Sequence, residues 1–516
     1  MGCITKEIAE RFLTEDLDIR EYAQIEDEAA EIVAKHDWSL NLRGLTSLSA
    51  KAAKALANHR GDLILDGLRS LSDPVAKALA RHQGEHLFLN GLRSLNDQVV
   101  EALAKHQGAL FLNGLRSLSD QVAEALARHR GNLTLNGLKS LSGPVAKALA
   151  KHRGELVLNY LTSLSDRAAK ELAKHLGSLT LGGLTSLSDK AVEALAKHQG
   201  ALELSLTSLS NKAAKFLAKH QGLSLSLGGV TNLSEKAAEA LAKHQGSLSL
   251  PLVRFSDKAA KALAKHQGFL SLGLFQTTLS NNAVKALAKH QGSLTLSGLT
   301  SLSEKAAEAL AKHQGALKLR LSNLSNKVAE ALAKHEGALS LGGLNSLDDK
   351  GAEALAKHEG PLSLGYIYSI SYAAIEAIAK HEGMLSLYLP DLDDAAAEYL
   401  VKHEGDLTLG GLYSLSDEAA IALAKYEGFL SLSGLATLSE EVANALAKHK
   451  GDLSLDGLAS LSDEEAEALS KHEGDLSLNG LTSLSEKAAE ALARHQGFVS
   501  LNGKVKKTFD KYKQSN

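Results

Sequence analysis

Two leucines separated by one polar residue, then a turn, then a longer stretch with apolar side chains three and four apart: this block recurs along nearly the whole chain. In residues 177–200, "GSLTLGGLTSLSDKAVEALAKHQG", Leu179 and Leu181 flank Thr180. A period of two predicts a short strand with both leucines on one face and Thr180 on the other. Leu184 and Leu187 carry the chain inward through the turn. Ser188 is a good N-cap, and Asp189 stands where a helix dipole favours an acid. Ala191, Val192, Leu195 and Ala196 form one apolar stripe, which predicts a helix over "DKAVEALAKH". Glu193 and Lys197 have the spacing and order of an outward ion pair. Gly200 is expected to end the helix in the left-handed conformation.

The histidine before each such glycine sets the period. His36, His59, His82, His106, His129, His152, His175 and His198 are 23 or 24 residues apart, and the series runs on to His495 with Tyr426 in one place. Neither a two-leucine strand nor so short a helix can bury its apolar face inside one unit. Units must therefore stack, each leucine finding leucines above and below. Units 201–210 and 247–256 are one residue short and 269–280 is one long, which predicts local bends. Residues 1–36 read as an amphipathic helical cap and a degenerate first repeat, 37–496 as about twenty repeats, and 497–516 as a last partial strand with a polar, basic tail.

The stretch "LTLGGLTSLSDKAVEALAKH" resembles a bacterial leucine-rich repeat, closest in layout to the cysteine-containing subtype. Leu179, Leu181, Leu184, Leu187, Ser188, Asp189 and Leu195 fall on matching positions. The resemblance implies an α/β solenoid, a superhelix with a parallel sheet on its concave side and short helices on its convex side. The chain departs at the family's ladder position, usually Asn or Cys, where Leu184 stands.

Composition narrows the function classes. The formal net charge of −3 points to neither nucleic acid nor membrane as a partner, and no apolar run approaches a bilayer-spanning length. The acid-containing N-terminus is not a secretory signal, and Lys6 stands where a myristoylation pattern needs Ser or Thr. Cys3 is the single cysteine, so no intrachain disulfide can form, and the expected location is cytoplasmic. Charge is graded: residues 41–160 carry 16 Lys and Arg against 9 Asp and Glu, or +7, whereas 331–500 carry 11 against 28, or −17. Such asymmetry is able to steer a partner or set a head-to-tail contact between copies.

Candidate chemistry is thin. Ser, Asp and His recur in many units, as with Ser188, Asp189 and His198, whereas an active site needs one unique constellation. No phosphate-binding loop, HExxH or CxxC is present, so neither enzyme activity nor a cofactor or metal is expected. The histidine column reads as packing at the helix-to-strand turn, because Tyr426 fills the slot without being an equivalent ligand. His86 reads as a surface residue.

The outward strand residue is more informative. It is usually Ser or Thr, but in the N-terminal quarter it is Ile64, Phe88, Phe111, Thr134 and Val157. In most of the same units the residue after the turn leucine is basic: Arg69, Arg93, Arg116 and Lys139. Exposed aromatics beside a row of arginines are the composition of a binding hot spot. A second aromatic group is "GYIYSISYAAIE" (365–376) with Tyr388, Tyr399 and Tyr413. The expected function is a non-enzymatic scaffold binding a protein partner on the concave face. Ile64, Phe88, Phe111 and Val157 would be the anchors, and the basic row would orient an acidic partner. The competing expectation is a structural or self-assembling solenoid without a dedicated ligand.

Overall fold

The computed structural model describes residues 2–15, 17–36, 39–253, 256–274 and 279–513, apart from the side chain of Lys504. The expected boundary at 36–37, the last three tail residues and parts of the irregular units 247–256 and 269–280 lie outside the described residues. The chain forms two compact units, Met1–Arg254 and Phe255–Asn516.

Each unit is an α/β solenoid in which every repeat adds one parallel strand and one helix. In the first, strands from Leu40–Asn41 to Ser247–Leu252 pair in sequence order. In the second, the ladder runs from Leu270–Leu274 to Val499–Leu501. Register is set leucine on leucine: Leu179 faces Leu202 and Leu181 faces Leu204. These positions are fully buried, as is the helical stripe Ala191, Val192 and Leu195. The core is thus a continuous leucine and alanine stack between sheet and helices.

The helices are shorter than the pattern suggests. The one in the reference repeat spans Asp189–Leu195. Its last turn tightens, with Lys197 N–H donating to the Ala194 carbonyl at 3.1 Å and His198 N–H to Leu195 at 2.9 Å, so Lys197 and His198 lie in a turn. Ser188 caps as expected, its Oγ accepting from Ala191 N–H at 3.0 Å. The same hydroxyl donates to Asp166 of the preceding repeat, and Ser234 to Asn211 (2.6 Å) and Ser416 to Asp394 (2.8 Å) repeat that relay. Where this relay forms, the Asp or Asn after the cap also ties successive rungs together.

Two local expectations are corrected. Glu193 does not pair with Lys197; among the described residues ion pairs run mostly between rungs, such as Lys212–Asp189 (3.1 Å) and Lys151–Glu124 (3.9 Å), because neighbouring helices pack side by side. Gly200 is not left-handed; among the described glycines only Gly298 has that conformation, with φ of 93°. Glycine is needed at 200 for space: a Cβ there would lie 2.1 Å from the Gly177 carbonyl oxygen of the rung below.

The histidines form buried files. His129, His152, His175 and His198 stack with ring centroids 6.0 Å apart and planes within 5°. Tyr426 continues the second unit's file between His403 and His449, and its hydroxyl donates to the Gly405 carbonyl.

The ends are closed by added elements. The strand Cys3–Ile4 pairs with Gln24–Ile25, and the helix Lys6–Thr14 places Phe12 4.9 Å from the His36 ring. At the other end, Gly503–Lys513 is a helix. Val505 and Phe509, four residues apart, are buried, and Lys513 Nζ donates to the His495 carbonyl at 3.0 Å. Among the described residues no helix is long and apolar enough to cross a membrane.

Candidate binding face of the first unit

Alternation points Ile64, Phe88, Phe111, Thr134 and Val157 away from the leucine core, and parallel register places them in one file. Ile64 pairs with Phe88, Phe88 with Phe111, Phe111 with Thr134, and Thr134 with Val157. Phe88 and Phe111 stack face to face, centroids 4.2 Å apart and planes 16° off parallel. Both rings are half-buried, as are Ile64 and Val157, while Thr134 is buried. Stacking covers one face of each phenylalanine, so the expected exposed aromatics are only partly open to solvent.

The basic row forms a second file. Arg69, Arg93, Arg116 and Lys139 are exposed, each five residues beyond its strand residue. Lys139 Nζ sits 5.3 Å from the centre of the Tyr160 ring, a cation–π contact. Lys139 follows Thr134 and not an apolar residue, and Val157 has Thr162 at the corresponding place, so the two files overlap fully only over Ile64, Phe88 and Phe111.

Between the files runs a ladder missed in the sequence. Asp66 Oδ1 accepts from Asn90 N–H at 2.9 Å, Asn90 from Asn113 (3.1 Å), Asn113 from Asn136 (2.9 Å), Asn136 from Asn159 (2.7 Å), and Asn159 from Gly182 (2.8 Å). Each side-chain oxygen satisfies a backbone donor one rung on, fixing the turns that carry the basic row. The ladder lies two residues before the turn leucine, whereas Leu184, the position aligned with the family's ladder, is buried core. The signal was the recurring Leu-Asn-Gly at 89–91, 112–114 and 135–137.

His86 was also missed. One extra residue between Gly84 and Leu87 brings it into the strand His86–Phe88. Its Nδ1 lies 2.7 Å from Asp62 Oδ1, and its ring is 5.8 Å from Phe111 and 6.1 Å from Phe88. It is therefore part of the aromatic group, with Asp62 orienting it, rather than a separate surface side chain.

In the second unit the tyrosines also gather. Tyr366 is 5.5 Å from Tyr388 and 6.4 Å from Tyr368. Tyr372 donates to Asp393 at 2.5 Å, which raises its pKa, while Tyr399 holds Lys402 at 5.0 Å and Tyr413 is exposed. Ser188, Asp189 and His198 do not converge: Ser188 caps its helix and donates to Asp166, Asp189 pairs with Lys212, and His198 is buried in the histidine file. Among the described residues no group of three or more His, Cys, Asp or Glu is placed to hold a metal.

No family model matches the chain, and no curated protein does. Among solved structures, a leucine-rich-repeat protein of Leptospira interrogans is similar at 16% identity, with a TM-score of 0.33 over 85% of this chain and 100% of the other. An internalin of Listeria monocytogenes is similar at 15% identity and TM-score 0.33, over 71% and 94%. The TLR13–ssRNA13 complex is similar at 15% identity and TM-score 0.42, over 93% and 80%. At such values nothing about ligand or partner transfers to this chain.

Proposed function

We propose that this solenoid, a leucine-rich-repeat protein of bacterial type closest in layout to the cysteine-containing subtype, is a non-enzymatic, cytoplasmic scaffold. It binds a protein partner on the concave face of its first unit. Ile64, Phe88, Phe111 and Val157 supply apolar anchors, and Arg69, Arg93, Arg116 and Lys139 orient an acidic partner. The observation that carries this reading is the half-buried Phe88–Phe111 stack, 4.2 Å between centroids, on a sheet face that elsewhere carries mostly Ser and Thr. Rigid aromatic area beside arginine is where binding energy concentrates in interfaces. His86, held by Asp62, adds a polar edge to the same patch.

The experiment is paired capture from native lysate. The baits are the wild type and a Phe88→Ser/Phe111→Ser/Arg93→Ser/Arg116→Ser variant of equal melting temperature. A protein retained by the wild type and lost with the variant supports the reading. Identical captures reduce the patch to surface variation.

A further inference from the structure

The second unit carries a basic groove on its helical side that the proposed scaffold function does not use. It opens between the helices Asp257–Leu263, Asn281–Leu287 and Glu304–Leu310 and encloses about 1000 Å³. Lys261, Lys265, Lys285, Lys289, Lys305 and Lys312 line it, against one carboxylate, Glu308.

Grooves at the same place in other repeats provide an internal comparison. One lined by Glu193, Lys197 and Lys219 encloses about 400 Å³, and one lined by Glu330, Lys334, Glu336, Lys357 and Glu359 about 440 Å³. Both mix charges. The basic groove runs past three helices where these run past two, and six lysines face it against one glutamate.

The sequence explains the charge. Elsewhere a glutamate at the fifth helical position reaches a cation just past the next helix, as in Arg128–Glu101, Lys151–Glu124 and Arg494–Glu467. At 261 and 285 that glutamate is lysine, so Lys261 is set toward Lys289 and Lys285 toward Lys312. The same exchange occurs at Lys54, Lys77, Lys147 and Lys170, so charge alone is not the argument. What distinguishes the second unit's pair is that both lysines line one continuous groove along three successive helices.

We propose that this groove binds a small polyanion carrying two or more clustered phosphate groups, which replaces the missing glutamates as the bridge between successive lysines. Ammonium groups donate to phosphate oxygens as compact point charges. The volume suits a small ligand. The patch is bounded: Glu308 lies at its rim and Glu330 restores the acid in the next helix, so a polymer running along the rungs would meet carboxylates there.

The test is calorimetric titration of the full chain with inorganic tripolyphosphate at about 0.15 M salt, where exposed charges are well screened. Saturable binding to the wild type is expected. A Lys261→Gln/Lys285→Gln variant should bind about tenfold or more weakly, while Lys261→Arg/Lys285→Arg and a control, Lys334→Gln/Lys357→Gln in the smaller groove, stay close to wild type. All four side chains are exposed, and melting curves check that each variant folds. Absence of saturable binding, or equal weakening in the groove and control Gln variants, overturns the proposal. So does tighter, groove-dependent binding of a single-stranded oligonucleotide or of vesicles containing anionic lipid, which would assign the lysines to a macromolecular surface.

Discussion

His495 Nε2 lies 2.9 Å from the carbonyl oxygen of Gly474, the glycine that ends the preceding repeat. A carbonyl only accepts, so this nitrogen carries a proton and donates it. Tyr426 reaches the Gly405 carbonyl in the same way through its hydroxyl, which is why tyrosine is an acceptable member of the file. At these two places the ring holds its helix-to-strand turn against the turn before it; along most of the file the rings meet their neighbours by stacking.

That burial has a pH consequence. Burial, the largest cause, pushes His106, His152, His220 and His472 from their ordinary value of 6.5 to about 4, with neighbouring imidazoles pushing these four further, and it lowers others such as His129, His175 and His198. The folded protein keeps them neutral, whereas the unfolded chain takes up protons near 6.5. Stability is therefore fully present above about pH 6.5 and is lost as pH falls from there toward 4. At about pH 5.5 each histidine that stays neutral on folding costs about 1.4 kcal/mol, so melting should drop clearly between about pH 7.5 and 5.5. Coincident melting curves at the two pH values would rule this out.

The glycine partners of the file are expected to be sensitive for steric reasons. A Cβ at Gly131 would lie 2.0 Å from the Gly108 carbonyl oxygen, while one at Gly342 would meet nothing within 4 Å. Gly131→Ala should destabilise by about 1–3 kcal/mol as the rungs are forced apart. Gly342→Ala should be neutral or stabilise by about 0.5 kcal/mol through the unfolded chain. Denaturant midpoints of the two variants compared with wild type decide it; equal midpoints contradict the packing account.

The periodic features were readable because stacking repeats them. Leu179 and Leu181 had to be core, Ser188 had to cap, and His198 had to face its neighbours, since the same residue recurs at the same place in most units. What escaped depends on the neighbouring rung rather than on the repeat itself. Gly200 looked like a helix terminator until the Gly177 carbonyl beneath it was in view. Glu193 looked paired within its helix, although cations on the next helix are the partners that such acids find. His86 needed the register with Asp62 and Phe111 before it joined the aromatic group. The candidate face was legible as a list of residues, but its two files and the ladder between them were not.

The aromatic stack should be measurable as a coupling. Phe88 and Phe111 stack across adjacent strands with His86 beside both, so each single alanine variant loses the stack and the double variant loses nothing more from it. A double-mutant cycle is expected to return about 0.5–1.5 kcal/mol of interaction. Additive effects would mean that the rings are not stacked in solution, and would remove the rigid surface on which the scaffold reading rests.

The asparagine ladder gives the sharpest distinction between shape and chemistry. Asn113 both donates its N–H to Asn90 Oδ1 and offers its own Oδ1 to Asn136 N–H at 2.9 Å. Asn113→Ala leaves the half-buried Asn136 donor without its acceptor, a loss of about 1–2 kcal/mol. Asn113→Asp keeps an oxygen in place, and Asp66 and Asp456 already serve this way, Asp456 accepting from Asn479 N–H at 2.7 Å. The aspartate variant should therefore retain most of the stability that alanine loses. Amide hydrogen exchange at Asn136 is the local readout, with faster exchange in the alanine variant and near-native protection in the aspartate variant. Equal exchange in both would mean that the turn is held by the leucines alone, and that the ladder does not position Arg116 and Lys139.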